Sequence, residues 1–253
     1  MRHPLLLLWL LLALEGQAEP LTGQVSGYHL LGEELQALQD DAFANPGMLW
    51  VDRGQRAWNS PAGARGTSCR DCHGGPERMQ GLAAQLPRWN AEDKRLENLE
   101  GLVRNCRSVR QRADPPAYES DELLALTTLI AYQSRGLPLT VAVDGPAADA
   151  FAAGRDAFAR RRGQLDLSCA DCHDRHAGAR LRGETISAGM INGFPLYRLT
   201  WEGMGSRQRM IRWCNEAVRA EPLQPDTAKA LALELFLAWR SRGLELESPA
   251  IRR

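Results

Sequence analysis

The chain has 253 residues, of which 31 are basic and 31 acidic, so its formal net charge is zero. This balance gives no support for a nucleic-acid partner, which normally requires a basic surface. Aromatic residues make up only 6 % of the chain, which predicts a thin apolar core unless a bound group adds to it.

The first residues have the pattern of a secretory signal peptide. An apolar run from Leu5 to Leu14 is followed by the small-x-small sequence that ends at Ala18. We therefore expect segment 1–18 to be removed and the mature protein to be periplasmic. The apolar run is too short to cross a bilayer, and no membrane span is predicted.

The first half of the mature chain, 19–143, is predicted to hold an N-terminal extension and a haem domain. Residues 19–48 form the extension, expected to pack on the first domain, and a helix is expected from Trp50 to Trp58. The motif Cys69–His73 then reads Cys-x-x-Cys-His, the attachment sequence of c-type haem. Ser120 has the character of a helix N-cap, and Gly136 is expected to stop the helix that it begins.

The second half, 144–253, repeats this order after a predicted linker at 138–148. A short helix is expected over 154–162, a second Cys-x-x-Cys-His motif occupies Cys169–His173, and another helix is expected from Asp226 or Thr227 to Gly243. No stretch alternates with the period of a strand. The repeat predicts a mainly α fold of two tandem class I cytochrome c-like domains.

The two motifs predict two covalently bound haem c groups. Cys69, Cys72, Cys169 and Cys172 would form the thioether bonds to them. His73 and His173 would each supply one axial iron ligand.

The ligand on the other side of each iron is less certain from the residues alone. Met79 and His176 follow the motif histidines too closely to reach the opposite face, whereas Met190 and Met204 stay open. Cys106 and Cys214 occupy equivalent places in the two halves, so thiolate ligation would give each a local role. In an exported protein these two cysteines could also form a disulfide, but that bond would have to cross between the domains.

Several segments resemble one known family. Gly193–Arg198, Gly205–Asn215 and Val218–Pro222 are similar to the SoxA family, and the Ser-Arg-Gly-Leu sequences at Ser134 and Ser241 extend the match. SoxA is the catalytic cytochrome subunit of L-cysteine S-thiosulfotransferase in bacterial thiosulfate oxidation.

The resemblance implies axial ligation by Cys106 to the first iron and by Cys214 to the second. Cys214 would also be the catalytic nucleophile, present as a persulfide. Thiosulfate would be joined to a cysteine of a SoxYZ-type carrier, and electrons would leave through haem to a SoxX-type cytochrome subunit.

Guanidinium groups suit the sulfonate end of thiosulfate, because they form forked hydrogen bonds to oxyanions. The family places an arginine where this chain has Met210. We therefore assign substrate binding to Arg209, Arg212 and Arg240.

Two alternatives come from other classes of protein. One is a thiosulfate dehydrogenase that forms free tetrathionate. The other is a dihaem electron carrier or peroxidase, which needs no reactive cysteine.

Overall fold

The computed structural model describes residues 23–253, so the predicted signal peptide lies outside the described residues. The chain is predominantly helical. The α-helices are α1 (Glu33–Asp40), α2 (Met48–Asn59), α3 (Cys69–His73), α4 (Leu99–Asn105), α5 (Asp121–Tyr132), α6 (Ala148–Ala159), α7 (Arg207–Ala217) and α8 (Ala228–Arg240). No helix of the described part is long and apolar enough to cross a membrane.

Helices α2 and α5 form the central pair of the first half. The side chain of Ser120 accepts a hydrogen bond from the Leu123 amide and caps α5, as the sequence predicts. The two helices approach closely at Gly54, where a Cβ atom would lie 2.2 Å from the carbonyl oxygen of Ala125. Glycine is therefore required at this crossing.

Helices α6 and α8 form the matching pair of the second half. Thr227 caps α8 by accepting a hydrogen bond from the Ala230 amide, which confirms the predicted start of that helix. At the crossing a Cβ on Gly154 would lie 2.0 Å from the carbonyl oxygen of Ala232. The predicted start of α6 at Gly154 was too late, because the helix already begins at Ala148.

The loop before each haem motif is also built in the same way in both halves. Gly63 and Gly163 have φ values of 67° and 72°, which favour glycine. The following backbone amides bond to carbonyls beyond the third cysteine of each half, from Ala64 to Arg112 and from Gln164 to Arg219. These bonds tie the region of Cys106, and likewise that of Cys214, to its own motif.

Short strands are present that the sequence analysis did not predict. They are β1 (Arg88–Asn90), β2 (Arg95–Glu97), β3 (Arg180–Leu181), β4 (Glu184–Thr185), β5 (Leu196–Arg198), β6 (Gly203–Gly205) and β7 (Ala250–Arg252). β1–β2 and β3–β4 are antiparallel pairs, while β5 lies between antiparallel β6 and parallel β7. Strands of two or three residues are too short to show alternation.

The N-terminal extension does not pack as the sequence predicted. The side-chain hydrogen bonds that leave this segment go to the second half. Asn45 donates to the carbonyl of Pro249, and Gln39 accepts from the amide of Ile251 at 2.9 Å. Polar side chains of the extension therefore satisfy the backbone around β7, which the periodicity of the segment could not reveal.

The two halves share buried surface. Leu96 of the first half belongs to the core cluster of the second half, and Leu246 belongs to that of the first. Buried polar groups join them as well, because Asn98 donates to Glu234 at 3.0 Å and Arg207 donates to the carbonyl of Leu86 at 2.8 Å. These contacts join the two halves on both sides of the linker.

Candidate haem and sulfur sites

The first motif forms the short helix α3, and two reciprocal hydrogen bonds between Ser68 and Asp71 cap its N-terminus. The side chain of Ser68 accepts from the Asp71 amide, and the Asp71 carboxylate accepts from the Ser68 amide at 2.7 Å. This capping box fixes the turn that carries Cys69 and Cys72 on its two ends. Both thiols are free, and Cys69 is partly exposed while Cys72 is exposed, which leaves them accessible for attachment of a haem.

The second motif repeats the capping box with Ser168 and Asp171. The Asp171 carboxylate accepts from the Ser168 amide at 2.9 Å. These hydrogen bonds lower the pKa of Asp171 to about 2, and Arg161 adds to the effect. Beyond this turn the backbone winds as a π-helical segment, Asp171–Arg175, which includes Cys172 and His173.

The imidazole of His173 is oriented for ligation. Its Nδ1 lies 2.8 Å from the carbonyl oxygen of Ser187 and donates to it, which leaves Nε2 unprotonated and available to a metal. Burial lowers the pKa of His173 and favours the neutral ring. Gly189 packs against the ring, since a Cβ there would lie 3.2 Å from His173 Cγ.

His73, its counterpart, is held by an aromatic neighbour. The rings of Trp58 and His73 have centroids 5.8 Å apart, and the Trp58 indole donates to the carbonyl of Gly74 at 2.9 Å. Trp58 thus fixes the end of α3 and packs against the imidazole of His73. Phe158 stands at the equivalent place in the second half and packs against Phe236.

The third cysteine of each half lies beside its own motif. Burial raises the pKa of the Cys106 thiol, and the charge of Cys72 adds to this effect. Burial likewise raises the pKa of Cys214, to about 12, with further contributions from Cys169 and Cys172. Main-chain hydrogen bonds from Ala64 to Arg112 and from Gln164 to Arg219 also tie the segment after each cysteine to the loop before its own motif. The alternative of a Cys106–Cys214 disulfide is wrong in this structure, because all six cysteines are free.

Met190 and Met204, the two methionines considered as iron ligands, have contacts elsewhere in the fold. Met204 is 1 % exposed and belongs to an apolar cluster with Trp50 and Leu124. The sulfur of Met190 accepts from the Ser241 hydroxyl at 3.7 Å. Neither contact places the methionine against a motif cysteine.

The three arginines assigned to substrate lie in different places. Arg209 donates to the carbonyl of Met204 at 3.0 Å and stacks on Trp201. Arg212 is half exposed and pairs with Glu216 on its own helix at 3.0 Å. The charge of Arg240 acts on Cys169 and His173. The structure therefore does not gather these arginines around the Cys214 sulfur.

The sequence analysis gave no role to Arg198, a cation that acts on the Cys214 thiol. Burial dominates the pKa of that thiol, and Arg198 is the cation that opposes it. Arg198 lies at the end of β5, and the pairing of β5 with β6 and β7 sets its position. The sequence offered one signal, because Arg198 closes the SoxA-like segment Gly193–Arg198.

The residues present fit bound haem c. Each half offers two thiols and one histidine in the attachment order, with a further sulfur close by. Buried guanidinium atoms also lack partners, because Arg240 Nε and Arg107 Nε make no hydrogen bond. Such donors suit the propionate groups of a porphyrin. No cluster of three or more His, Cys, Asp or Glu side chains suited to a bare metal ion occurs among residues 23–253.

Comparison with known proteins also indicates a cytochrome c. The model of the SoxA/TsdA cytochrome c domain matches residues 53–139. The chain is 39 % identical over 227 residues to the L-cysteine S-thiosulfotransferase subunit SoxA of Paracoccus pantotrophus, covering 90 % of this chain and 78 % of that protein. It is 36 % identical over 239 residues to the SoxA subunit of Pseudaminobacter salicylatoxidans, covering 94 % and 84 %.

A solved structure is similar over most of the chain. The crystal structure of SoxXA from P. pantotrophus aligns with a TM-score of 0.88 and 39 % identity, over 90 % of this chain and 86 % of that one. The cytochrome c domain and these relatives imply covalently bound haem c. The chain belongs to the SoxA family of L-cysteine S-thiosulfotransferase subunits.

Proposed function

We propose that this protein joins thiosulfate oxidatively to a cysteine of a SoxYZ-type carrier, with Cys214 as the reacting sulfur. The observation that supports this assignment is the position of Cys214 beside the second motif, where Cys169 and Cys172 act on its thiol and Arg198 opposes their effect. Its counterpart Cys106 lies beside the first motif, next to Arg107.

The proposed chemistry balances in two steps. The Cys214 thiolate forms a sulfur–sulfur bond to the outer sulfur of thiosulfate, and two electrons are lost. The thiolate of the carrier then attacks that outer sulfur, takes over the thiosulfate group and releases the Cys214 thiolate. Bound haem c would supply the acceptor through which the two electrons leave.

The Cys214 thiol must lose its proton for this role. Burial alone would keep the thiol protonated, since it raises the pKa to about 12. Coordination to a metal would deprotonate it. His173 and Cys214 would supply the nitrogen and sulfur ligands of the second haem.

The haem ligands, the two domains and the substrate-binding arginines are proposed as follows. Two haem c groups are proposed, with Cys69, Cys72, His73 and Cys106 at the first, and Cys169, Cys172, His173 and Cys214 at the second. The repeated helix pairs and loops support two tandem cytochrome c-like domains, divided near residue 144. Arg209, Arg212 and Arg240 are the proposed substrate-binding arginines.

A SoxX-type cytochrome subunit is proposed as the stable partner, because the similar solved structure is of SoxXA. The periplasm is the proposed location, because c-type haem is attached there and segment 1–18 has the pattern of a signal peptide.

Product analysis tests the proposal. The holo complex is incubated with thiosulfate, an electron acceptor and a carrier protein bearing one reactive cysteine. Mass spectrometry should show the carrier gaining one thiosulfate group. Cys214→Ala should lower the rate of this conjugation at least about a thousandfold, as loss of a nucleophile does.

Cys106→Ala is the matched control, since it removes the equivalent sulfur from the first half. It should leave the conjugate detectable. Free tetrathionate formed without any carrier, at the rate seen with it, would instead identify a thiosulfate dehydrogenase.

A further inference from the structure

The helices that lead to the third cysteine of each half begin in the same way. Asn98 caps α4 and Ser206 caps α7, because each side chain accepts a hydrogen bond from the amide three residues later, at 2.9 and 3.1 Å. Cys106 directly follows α4, Cys214 lies within α7, and each comes eight residues after its cap. The backbone stays helical from cap to cysteine in both halves. The position of each cap therefore sets the position of a sulfur.

The cap of α4 is bonded to the second half. Asn98 is fully buried, and its Nδ2 donates to Glu234 Oε2 on α8 at 3.0 Å. The same carboxylate accepts from Gln208 and lies 3.5 Å from Arg207 Nη1, and these are the first two residues of α7. Glu234 is thus paired and hydrogen-bonded, as a buried charge must be. One carboxylate contacts the start of both cysteine-bearing helices.

The cap of α7 is bonded to the first half. Ser206 is fully buried, its hydroxyl donates to Glu119 Oε1, and its amide donates to Glu119 Oε2 at 3.4 Å. Glu119 has a φ of 62°, which is uncommon for a residue other than glycine. Asp226, the equivalent residue before α8, has the same φ and pairs with Arg95 of the first half. Acidic side chains therefore reach across between the halves in both directions.

These hydrogen bonds act on the caps and not on the middle of the helices. Without Glu234, the Nδ2 donor of Asn98 would be buried without its acceptor, and the hydroxyl of Ser206 depends on Glu119 in the same way. A cap that moves to find another partner would displace the start of its helix. The displacement would be carried along the helix to the cysteine.

We propose that Glu234 and Glu119 are positioning residues, through which each half holds the N-cap of the cysteine-bearing helix of the other half. The proposal rests on the proposed function, in which Cys106 and Cys214 bind iron and Cys214 reacts. Contacts outside the ligands themselves orient those ligands and tune the metal that they hold. The geometry of each sulfur is therefore completed by the half to which it does not belong.

Three substitutions in the holo complex separate this role from simple cohesion of the halves. Asn98→Ser keeps a capping oxygen and removes the donor to Glu234. Glu119→Leu removes both acceptors of Ser206, whose hydroxyl can still cap α7. Leu246→Ala is the control. Leu246 is 1 % exposed in the core of the first half, and its side chain cannot join the hydrogen bonds of either cap.

Electron paramagnetic resonance of the ferric protein reads the two haem sites separately. We expect Asn98→Ser to raise the high-spin fraction of the first haem and to leave the second unchanged. Glu119→Leu should change the second haem and leave the first unchanged, and it should lower the rate of conjugation about tenfold or more. Leu246→Ala should lower the urea midpoint but leave both spectra as they are in the parent protein.

A conservative variant and a second measurement support the reading of these spectra. Glu119→Gln keeps an acceptor oxygen for the Ser206 hydroxyl, so it should bring the spectrum back toward that of the parent protein. Hydrogen exchange followed by mass spectrometry reports the helices directly. Exchange should become faster over residues 99–106 in Asn98→Ser and over residues 207–214 in Glu119→Leu, and it should stay unchanged over both segments in Leu246→Ala.

The proposal is wrong if neither Asn98→Ser nor Glu119→Leu changes a haem spectrum, or if Leu246→Ala changes both spectra as much as they do. Where Glu119→Leu does not fold, Asn98→Ser decides by itself. These results would leave the transferase activity of the parent protein intact. If the parent protein forms no conjugate but the two spectra change as expected, the proposed function fails while the positioning of the helices stands.

Discussion

The carbonyl oxygen of Ala232 lies 2.0 Å from the position that a Cβ atom on Gly154 would take. Because the obstacle is backbone, it cannot move aside without separating α6 from α8. We expect Gly154→Ala to destabilise the holo protein by about 2 kcal/mol or more, measured by urea unfolding.

Two further variants calibrate this effect. Gly54→Ala should cost a similar amount, since its Cβ would lie 2.2 Å from the Ala125 carbonyl. Gly32→Ala is the control, because apart from its chain neighbours no atom of residues 23–253 lies within 4 Å of its Cβ position. Equal stability of Gly154→Ala and Gly32→Ala would show that the helices can separate at no cost.

A buried carboxyl makes the stability depend on pH. Burial, together with the nearby charge of Glu234, raises the pKa of Glu100 from 4.5 to about 8. Between these two values the folded protein keeps a proton that the unfolded chain has lost. Stability should therefore fall as the pH rises from about 5 to 8.

Glu100→Gln should flatten that fall, because the amide mimics the protonated carboxyl and does not titrate. Urea midpoints at pH 5, 6, 7 and 8 measure the effect. Glu92→Gln, an exposed substitution, should retain the slope of the parent protein. A slope that survives unchanged in Glu100→Gln would assign the dependence to another group.

The number of haem groups can be read from covalent mass. Cys69→Ala with Cys72→Ala should remove one haem and leave the second attached through Cys169 and Cys172. Intact-protein mass spectrometry after export in a haem-attaching host gives the count directly. The reciprocal pair of substitutions should also leave one haem. A parent protein that carries a single haem would contradict the assignment of both motifs.

Gly189 controls the orientation of His173. Its φ is 74°, and a Cβ atom would lie 3.2 Å from His173 Cγ. Gly189→Ala should tilt the ring away from the Ser187 carbonyl and increase the high-spin fraction of the second haem, seen by absorption and paramagnetic resonance spectra.

Gly183→Ala is the matched control for this prediction. Gly183 also has a positive φ, 83°, but no atom lies within 4 Å of its Cβ position. It should impose a similar backbone strain without touching the imidazole. Identical spectra for the two variants would show that Gly189 does not position His173.

The sequence predicted the helices that carry strong caps. Ser120 and Thr227 begin α5 and α8 as expected, since capping depends on residues three apart in the chain. The repeat also predicts that Cys106 and Cys214 lie beside the motifs of their own halves. The short strands could not be predicted, since their pairing joins segments far apart in sequence.

The same limit explains the arginines. Arg209 and Arg212 were chosen because they lie near Cys214 along α7, yet their side chains point to Met204 and Glu216. Arg198 reaches the region of Cys214 through β5 and was not chosen.

The pairing of β7 with β5 has a practical consequence for producing the protein. Ile251 is fully buried, its amide donates to Gln39, and the carbonyl of Arg253 accepts from Arg198. A chain expressed without residues 250–253 would lose a strand that supports both the N-terminal extension and Arg198.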